Sequence, residues 1–295
     1  MADWQELTRR ASFASHQLLG WIFWDPRAKE NLAALGVPDG LGHYIVNRGA
    51  PLAPAGAEAL FAAFYTIKRE FIQFCLNHAS PHINNWHDVT VARDAAVRAG
   101  LEEMTPQMIE PFGLLAEDLW KTVDAIPASG RVLFAAHKSW PRPTDPLMSA
   151  WNALNCIREW RGDTHFGILM NDNIGVVEAG LLHDAWMGYP KEWIPRSRGA
   201  DDAEITAALE NLSARGFVTD GVVNDEGVAY RVELERRTDD LCEIAWRHFG
   251  EANTLKLLSI LEPVGERYVQ HINEIAGDNW MPAARPRRLD ESHDS

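Results

Sequence analysis

Apolar positions recur at helical spacing over most of the chain, and Gly, Pro, Asn and Asp clusters punctuate them. The spacing predicts a helix over residues 3–20. Asp25-Pro26, an N-cap followed by proline at the first helical position, predicts a second that stops near Gly36. Residues 37–54 are rich in turn formers and read as loop; they hold His43, Tyr44 and Arg48. Leu60, Phe61, Phe64, Tyr65, Ile67, Phe71, Phe74 and Cys75 predict one long helix over 54–78. Ser80-Pro81 and Thr105-Pro106 open two more, to about Ala99 and Asp124. Residues 1–128 therefore read as a helical bundle. Residues 129–146 form a Pro- and Gly-containing connector whose apolar centre, 132–136, predicts packing rather than free motion.

Beyond it the pattern changes. A helix is predicted over 147–170, ended by Asn171-Asp172-Asn173, and another over 174–187. Asp201 or Asp202 caps a helix that reaches Arg215-Gly216. Two short apolar pieces then flank a turn within 217–227, and Asn224 caps a helix to about Phe249. The fold class is mainly α with a small β wing. Residues 147–250 form one module, 251–280 a C-terminal helix, and 281–295 a polar tail expected to be disordered.

The order helix, turn, helix, "ALENLSARGFV", short wing and "NDEGVAYRVELERRTDDL" resembles the winged-helix module of MarR-type regulators. "NRGAPLAPAGAEALFAAFYTI", "AAHKSWPRP", "WNALNCIREWRGDTHFGIL" and "EAGLLHDAWMG" resemble a family of bacterial proteins described by a helix-turn-helix. The resemblance implies a winged-helix fold and no particular activity.

Charge bears on what such a module could touch. The formal net charge is −14, which disfavours phosphate backbones and anionic membrane surfaces. The segment 174–187, taken as the base-reading helix, carries Glu178 and Asp184 and no Lys or Arg. The wing carries Asp220, Asp225 and Glu226 against Arg231. Lys191, Arg196 and Arg198 form the nearest basic cluster. DNA is thus the less favoured partner, and a homodimer remains open. No apolar run is long enough to span a bilayer, and no secretory leader is apparent, so a cytoplasmic location is expected. Cys75, Cys156 and Cys242 are too widely spaced for a zinc motif and are expected as reduced, buried thiols.

The most informative element is the helix 147–170. Leu147, Trp151, Leu154, Arg158, His165 and Leu169 fall in a stripe about 60° wide, with Arg161 at its edge. Arg158 and His165 therefore sit within an apolar face. A buried arginine needs a partner, for which Asp163, Glu178, a carboxylate of the N-terminal half or an anionic ligand are candidates. Gly162 in the helix interior suggests close approach of another chain segment or a ligand.

A helix break at Gly162 would dissolve the stripe; if the helix runs on, two readings stand. One is an ion-pair network tying the halves together. The other is a site for a small molecule, with Arg158, Arg161, Arg48, His43, His137 and Trp151 as binding residues. In an enzymatic version His165 would carry a proton and Asp163 would orient or neutralise it. No metal set and no particular cofactor follow from the spacing. The favoured function is an intracellular small-molecule-binding protein on a winged-helix scaffold; the alternative is a MarR-type transcriptional regulator.

Overall fold

The computed structural model describes residues 2–38 and 42–288 of the chain. Acidic side chains start the first helices. Asp3 accepts from the Glu6 amide and opens α1 (Trp4–Gly20). Asp25 accepts from the Arg27 amide and opens α2 (Pro26–Ala34), with its proline in the first turn. The stretch 37–54, expected as loop, contains α3 (His43–Gly49), whose residues are mostly buried. Tertiary burial overrides the local turn composition there.

The single helix expected over 54–78 is two, α4 (Ala57–Phe64) and α5 (Arg69–Ala79). The break falls at Tyr65, with φ 45°, whose hydroxyl donates to the Ile174 carbonyl at 2.6 Å. The apolar rhythm runs across the break because both pieces serve one cluster, built on Leu60, Phe64, Ile72 and Leu76. Ser80-Pro81 makes only a 3-10 turn. Asn85, accepting from the His87 amide, is the true cap of α6 (Trp86–Met104). Thr105-Pro106 likewise opens a 3-10 turn, followed by α7 (Ile109–Gly113) and α8 (Ala116–Ala125). The apolar centre of the connector is α9 (Val132–Lys138).

Asp145 caps α10 (Pro146–Asn171), which runs unbroken through Gly162. Then come α11 (Val176–Met187), α12 (Trp193–Ser197) and α13 (Asp202–Ala214), the last started by a reciprocal capping box of Asp201 and Glu204. An antiparallel hairpin follows, β1 (Val218–Thr219) with β2 (Val222–Val223), pairing Val218 with Val223. Its Asp220-Gly221 turn has positive φ at both residues, the geometry that matches a two-residue hairpin to strand twist. Asn224 caps α14 (Asp225–Phe249), and α15 (Glu251–Ile275) packs back on α1.

The main core joins both sides of the connector. Leu18 of α1, Leu119 of α8, Trp151 and Leu154 of α10, Trp246 of α14 and Leu258 of α15 share one cluster. The α10 helix is consequently enclosed by α1, α7, α8, α9 and α14.

The polar tail expected from residue 281 is part of the fold as far as Arg288. Met281 and Ala284 are buried, and the Gln17 side-chain amide donates to the Ala284 carbonyl at 3.2 Å. The last turn of α11 leaves carbonyls that no helical amide can reach. Arg287 Nε donates to that of Trp186 at 2.8 Å, and the Arg288 amide donates to that of Met187. Residues 289–295 of the expected tail lie outside the described residues. Among the described residues no helix is long and apolar enough to cross a membrane.

Candidate functional site

The stripe predicted on α10 divides in two. Leu147, Trp151 and Leu154 are core. From Arg158 onward the same face, with Arg161, Gly162, His165 and Leu169, lines a cavity of about 970 Å³. The other walls come from α1, α3, α11 and α14, and from the segment Trp280 to Arg287 that follows α15. Phe23, Trp24, Phe166, Trp186 and Trp280 supply aromatic surface. Gly162 is part of this wall, and a Cβ there would stand 3.6 Å from Arg48 Nη2.

The polar part of the wall is cationic. Eight arginines and Lys29 line the cavity, against the carboxylates of Glu235 and Asp239. Two clusters organise them. In the first, Glu159, fully buried behind the wall, accepts from Arg48 Nε at 3.0 Å and Arg48 Nη2 at 2.8 Å, and also from Arg158 Nη2. Burial works to raise the Glu159 carboxyl, but Arg158 and Arg48 outweigh it and hold it below the usual carboxylate range. One carboxylate thus serves two guanidiniums, and a positive charge is left over.

In the second cluster Arg161 Nη2 donates to Glu235 at 2.7 Å and to Asp239 at 2.9 Å, while Arg231 Nη2 lies 2.7 Å from Glu235. Again burial opposes and the arginines prevail, leaving Glu235 well below its ordinary value. Arg198, also on the wall, makes no side-chain hydrogen bond or ion pair among the described residues. Buried N–H groups at Arg161 Nε, Arg231 Nη1 and Arg285 Nη2 have no hydrogen-bond partner there either. Unmet buried donors cost free energy, and these three belong to residues of the cavity wall.

Three histidines on this wall, His165, His16 and His183, are held neutral and in defined tautomers. His165 Nδ1 lies 3.1 Å from Thr238 Oγ1, whose own proton is donated to the Leu234 carbonyl at 2.7 Å. The Thr238 oxygen therefore accepts, Nδ1 carries the proton, and Nε2 is the bare nitrogen. His16 follows the same logic, its Nδ1 lying 2.8 Å from the Ser12 carbonyl. His183 is the reverse: Nδ1 accepts from Arg231 Nη2 at 3.0 Å, so Nε2 bears hydrogen and is unpartnered. Burial, reinforced by the neighbouring arginines, pushes His165 and His16 down to about 3, and His183 well below its ordinary value.

Several residues expected at the site lie elsewhere. Trp151 is fully buried in the core under Arg93, whose guanidinium stands 4.8 Å from its ring. His137 sits behind the wall: Nε2 donates to the Arg48 carbonyl at 3.0 Å, and Nδ1 accepts from Asn155. Both nitrogens are spent on architecture. Asp163 is not paired with His165. Two positions apart on a helix, the side chains diverge by about 200°, and Asp163 instead accepts from the Phe134 amide at 2.9 Å, tying down the start of α9. Its burial pushes it up to about 7. Nor does Asp163 or Glu178 meet Arg158, whose partners are Asn155 and the adjacent Glu159. Glu178 accepts from the Gly175 amide and from Asn211. His43 does line the cavity, as do Arg48, Arg158, Arg161 and His165.

Glu159, Glu235, Asp239 and His16 do not figure in the sequence analysis, and Arg231 and Arg198 figure there only as charges of the wing and of a basic loop. Arg231, Glu235 and Asp239 follow one another at four-residue steps, a single face of α14, and that signal was available. The three cysteines are buried as expected, and burial pushes Cys75 up to about 11 and Cys156 and Cys242 to about 12.

The segment 174–187 is not open to a DNA groove. In α11, Glu178, Gly180, Leu181, Leu182 and Asp184 are all buried, and α12, α13 and α14 cover it. The helix directly before the hairpin is α13, whose exposed positions include Asp202, Thr206 and Glu210 and no Lys or Arg.

No curated protein and no solved structure matches the chain. Residues 8–274, however, match the family model described as a helix-turn-helix family, and the chain belongs to that family.

Proposed function

We infer that this protein binds an organic anion with an apolar body in the cavity beside α10, and uses the helix-turn-helix region, read as a winged helix, as one wall. The carrying observation is the cavity itself: its volume is at the upper end for small-molecule sites, and its lining is strongly cationic in a chain of net charge −14. A basic interior in an acidic protein concentrates anions where water is scarce and charge counts most. Arg158, Arg161, Arg198 and Arg231 would hold the charged group, and Phe166, Trp186 and Trp280 the apolar body. An enzymatic role would use His165 as the proton carrier, without the help of Asp163. Neither a second copy nor a metal is required by this reading.

The test is calorimetric titration with anilinonaphthalene sulfonate, an aromatic monoanion. One saturable site per chain is expected, weakening as salt is added. A flat titration removes the anion-binding reading.

Membership of a helix-turn-helix family favours a second reading, a DNA-binding regulator. In a winged helix the helix before the wing enters the groove, and here the exposed face of α13 would bring Asp202 and Glu210 towards phosphates. Retention on heparin at low salt would support the regulator; flow-through supports the anion-binding protein.

A further inference from the structure

The anionic wall partner can be narrowed by what the cavity accepts as well as by what it donates. Arginines only donate hydrogen bonds. Were the ligand a bare anion, every polar group facing it and not already engaged by a wall arginine, as the carboxylates of Glu235 and Asp239 are, would need to be a donor. His165 and His16 break that rule. Each gives its Nδ1 proton to the protein, to Thr238 Oγ1 and to the Ser12 carbonyl, so each presents a lone pair at Nε2. Both line the same cavity as Arg158, Arg161 and Arg231. A lone pair set among guanidiniums repels the oxygens of a fully ionised group. It is satisfied by an O–H.

We propose that the cavity selects an oxyanion that still carries a proton, a phosphate monoester on an apolar or aromatic body, with its charged oxygens towards Arg158, Arg161 and Arg231 and its P–O–H donated to Nε2 of His165 or His16. This rests on the anion-binding reading above. The alternative way to satisfy these nitrogens, protonating them, is opposed by the same arginines and by burial, which keep both imidazoles neutral down to mildly acidic pH. His183, held in the opposite tautomer by Arg231, keeps its own Nε2–H buried within the wall. Beside the carboxylates of Glu235 and Asp239, which Arg161 and Arg231 already engage, the wall therefore offers many donors and two nitrogen acceptors, the complement of a singly protonated phosphate.

Naphthyl phosphate and naphthyl sulfate test this as a matched pair. At about pH 5, below the second ionisation of a phosphate monoester near 6, both are monoanions of nearly the same shape. Only the phosphate has a proton to donate. Calorimetric titration of the full-length protein at that pH is expected to give binding about tenfold tighter for the phosphate, the worth of one satisfied hydrogen bond. In the double variant His16→Leu with His165→Leu, which exchanges two part-buried polar groups for apolar ones, the ratio is expected to fall to about one. Equal binding of the two probes by the wild type overturns the proposal and leaves anion binding intact. A ratio that survives in the double variant also overturns it. Failure of both probes to bind overturns the anion-binding reading with it. The wild-type comparison stands by itself if the double variant does not fold.

Discussion

Arg48 and Glu159, 111 positions apart in the chain, meet behind the cavity wall in a fully buried pair, with Arg48 Nη2 2.8 Å from Glu159 Oε2 and Nε 3.0 Å from Oε1. The pair fastens α3 to α10, and Arg158 shares the same carboxylate. Removing one member of such a cluster strands charge in a low-dielectric interior. Glu159→Gln keeps the volume but leaves two guanidiniums without a counter-charge. Urea unfolding is expected to show a loss of about 3–5 kcal/mol. A loss below about 1 kcal/mol would mean that the pair is solvated and the wall more open than described.

Gly100 marks the closest crossing of α6 with the tryptophan-rich core. A Cβ there would stand 2.4 Å and 2.8 Å from two carbons of the Trp21 ring. That ring is fully buried and stacked on Tyr268. Helix propensity alone would make Gly100→Ala stabilising by about 1 kcal/mol. Overpacking is expected to win, with a net loss of about 1–3 kcal/mol in the same unfolding experiment.

Asp163 gives the stability a recognisable pH signature. Its folded-state value is raised by burial from the ordinary 3.8 to about 7. Between those limits the native state holds a proton that the unfolded chain has released, so the contribution is full below the lower value and is lost as pH rises through about 7. Asp163→Asn can still accept from the Phe134 amide and removes this titration. The variant is expected to gain on the wild type by a few kcal/mol, roughly, as pH rises from about 4 to 8. His16 and His165 act in the opposite sense, because their lowered values withdraw stability as pH falls below the ordinary 6.5 towards 3. They are present in both proteins and cancel in the difference. A constant gap between wild type and variant across the range would contradict the burial of Asp163.

Arg198 separates binding from folding. Its side chain lines the cavity and forms no ion pair or hydrogen bond among the described residues. Arg198→Ala is expected to change stability by less than about 0.5 kcal/mol. Its affinity for anilinonaphthalene sulfonate is expected to fall severalfold, up to about tenfold. Unchanged affinity would place Arg198 outside the site.

Local chemistry carried much of the fold into the sequence. Asp25-Pro26, Asp201 with Glu204, and Asn224 are caps that act through their own neighbours, and each works as its residue type implies. The break at Tyr65 was hidden because α4 and α5 face one cluster, so the apolar spacing runs on across it. The ordered segment up to Arg288 was hidden because its anchors are the end carbonyls of α11, which no local pattern encodes.

At the site, Arg158, Arg161 and His165 were legible as polar residues on an apolar stripe of α10. Their partners were not. Arg158 turns to the adjacent Glu159 because Arg48, from a segment without clear periodicity, reaches the same carboxylate. Asp163 looked like a partner of His165 by proximity in sequence, yet it lies on another face of the helix.

The most direct measurement compares two fluorescent probes of the same aromatic body, anilinonaphthalene sulfonate and neutral phenylnaphthylamine, in equilibrium titrations of the wild-type protein at low and high salt. If the cavity recognises negative charge, the sulfonate binds at least about tenfold tighter, and added salt narrows the gap. If the two bind equally at low salt, or the neutral probe binds tighter, the arginines are structural and the cavity does not recognise anions.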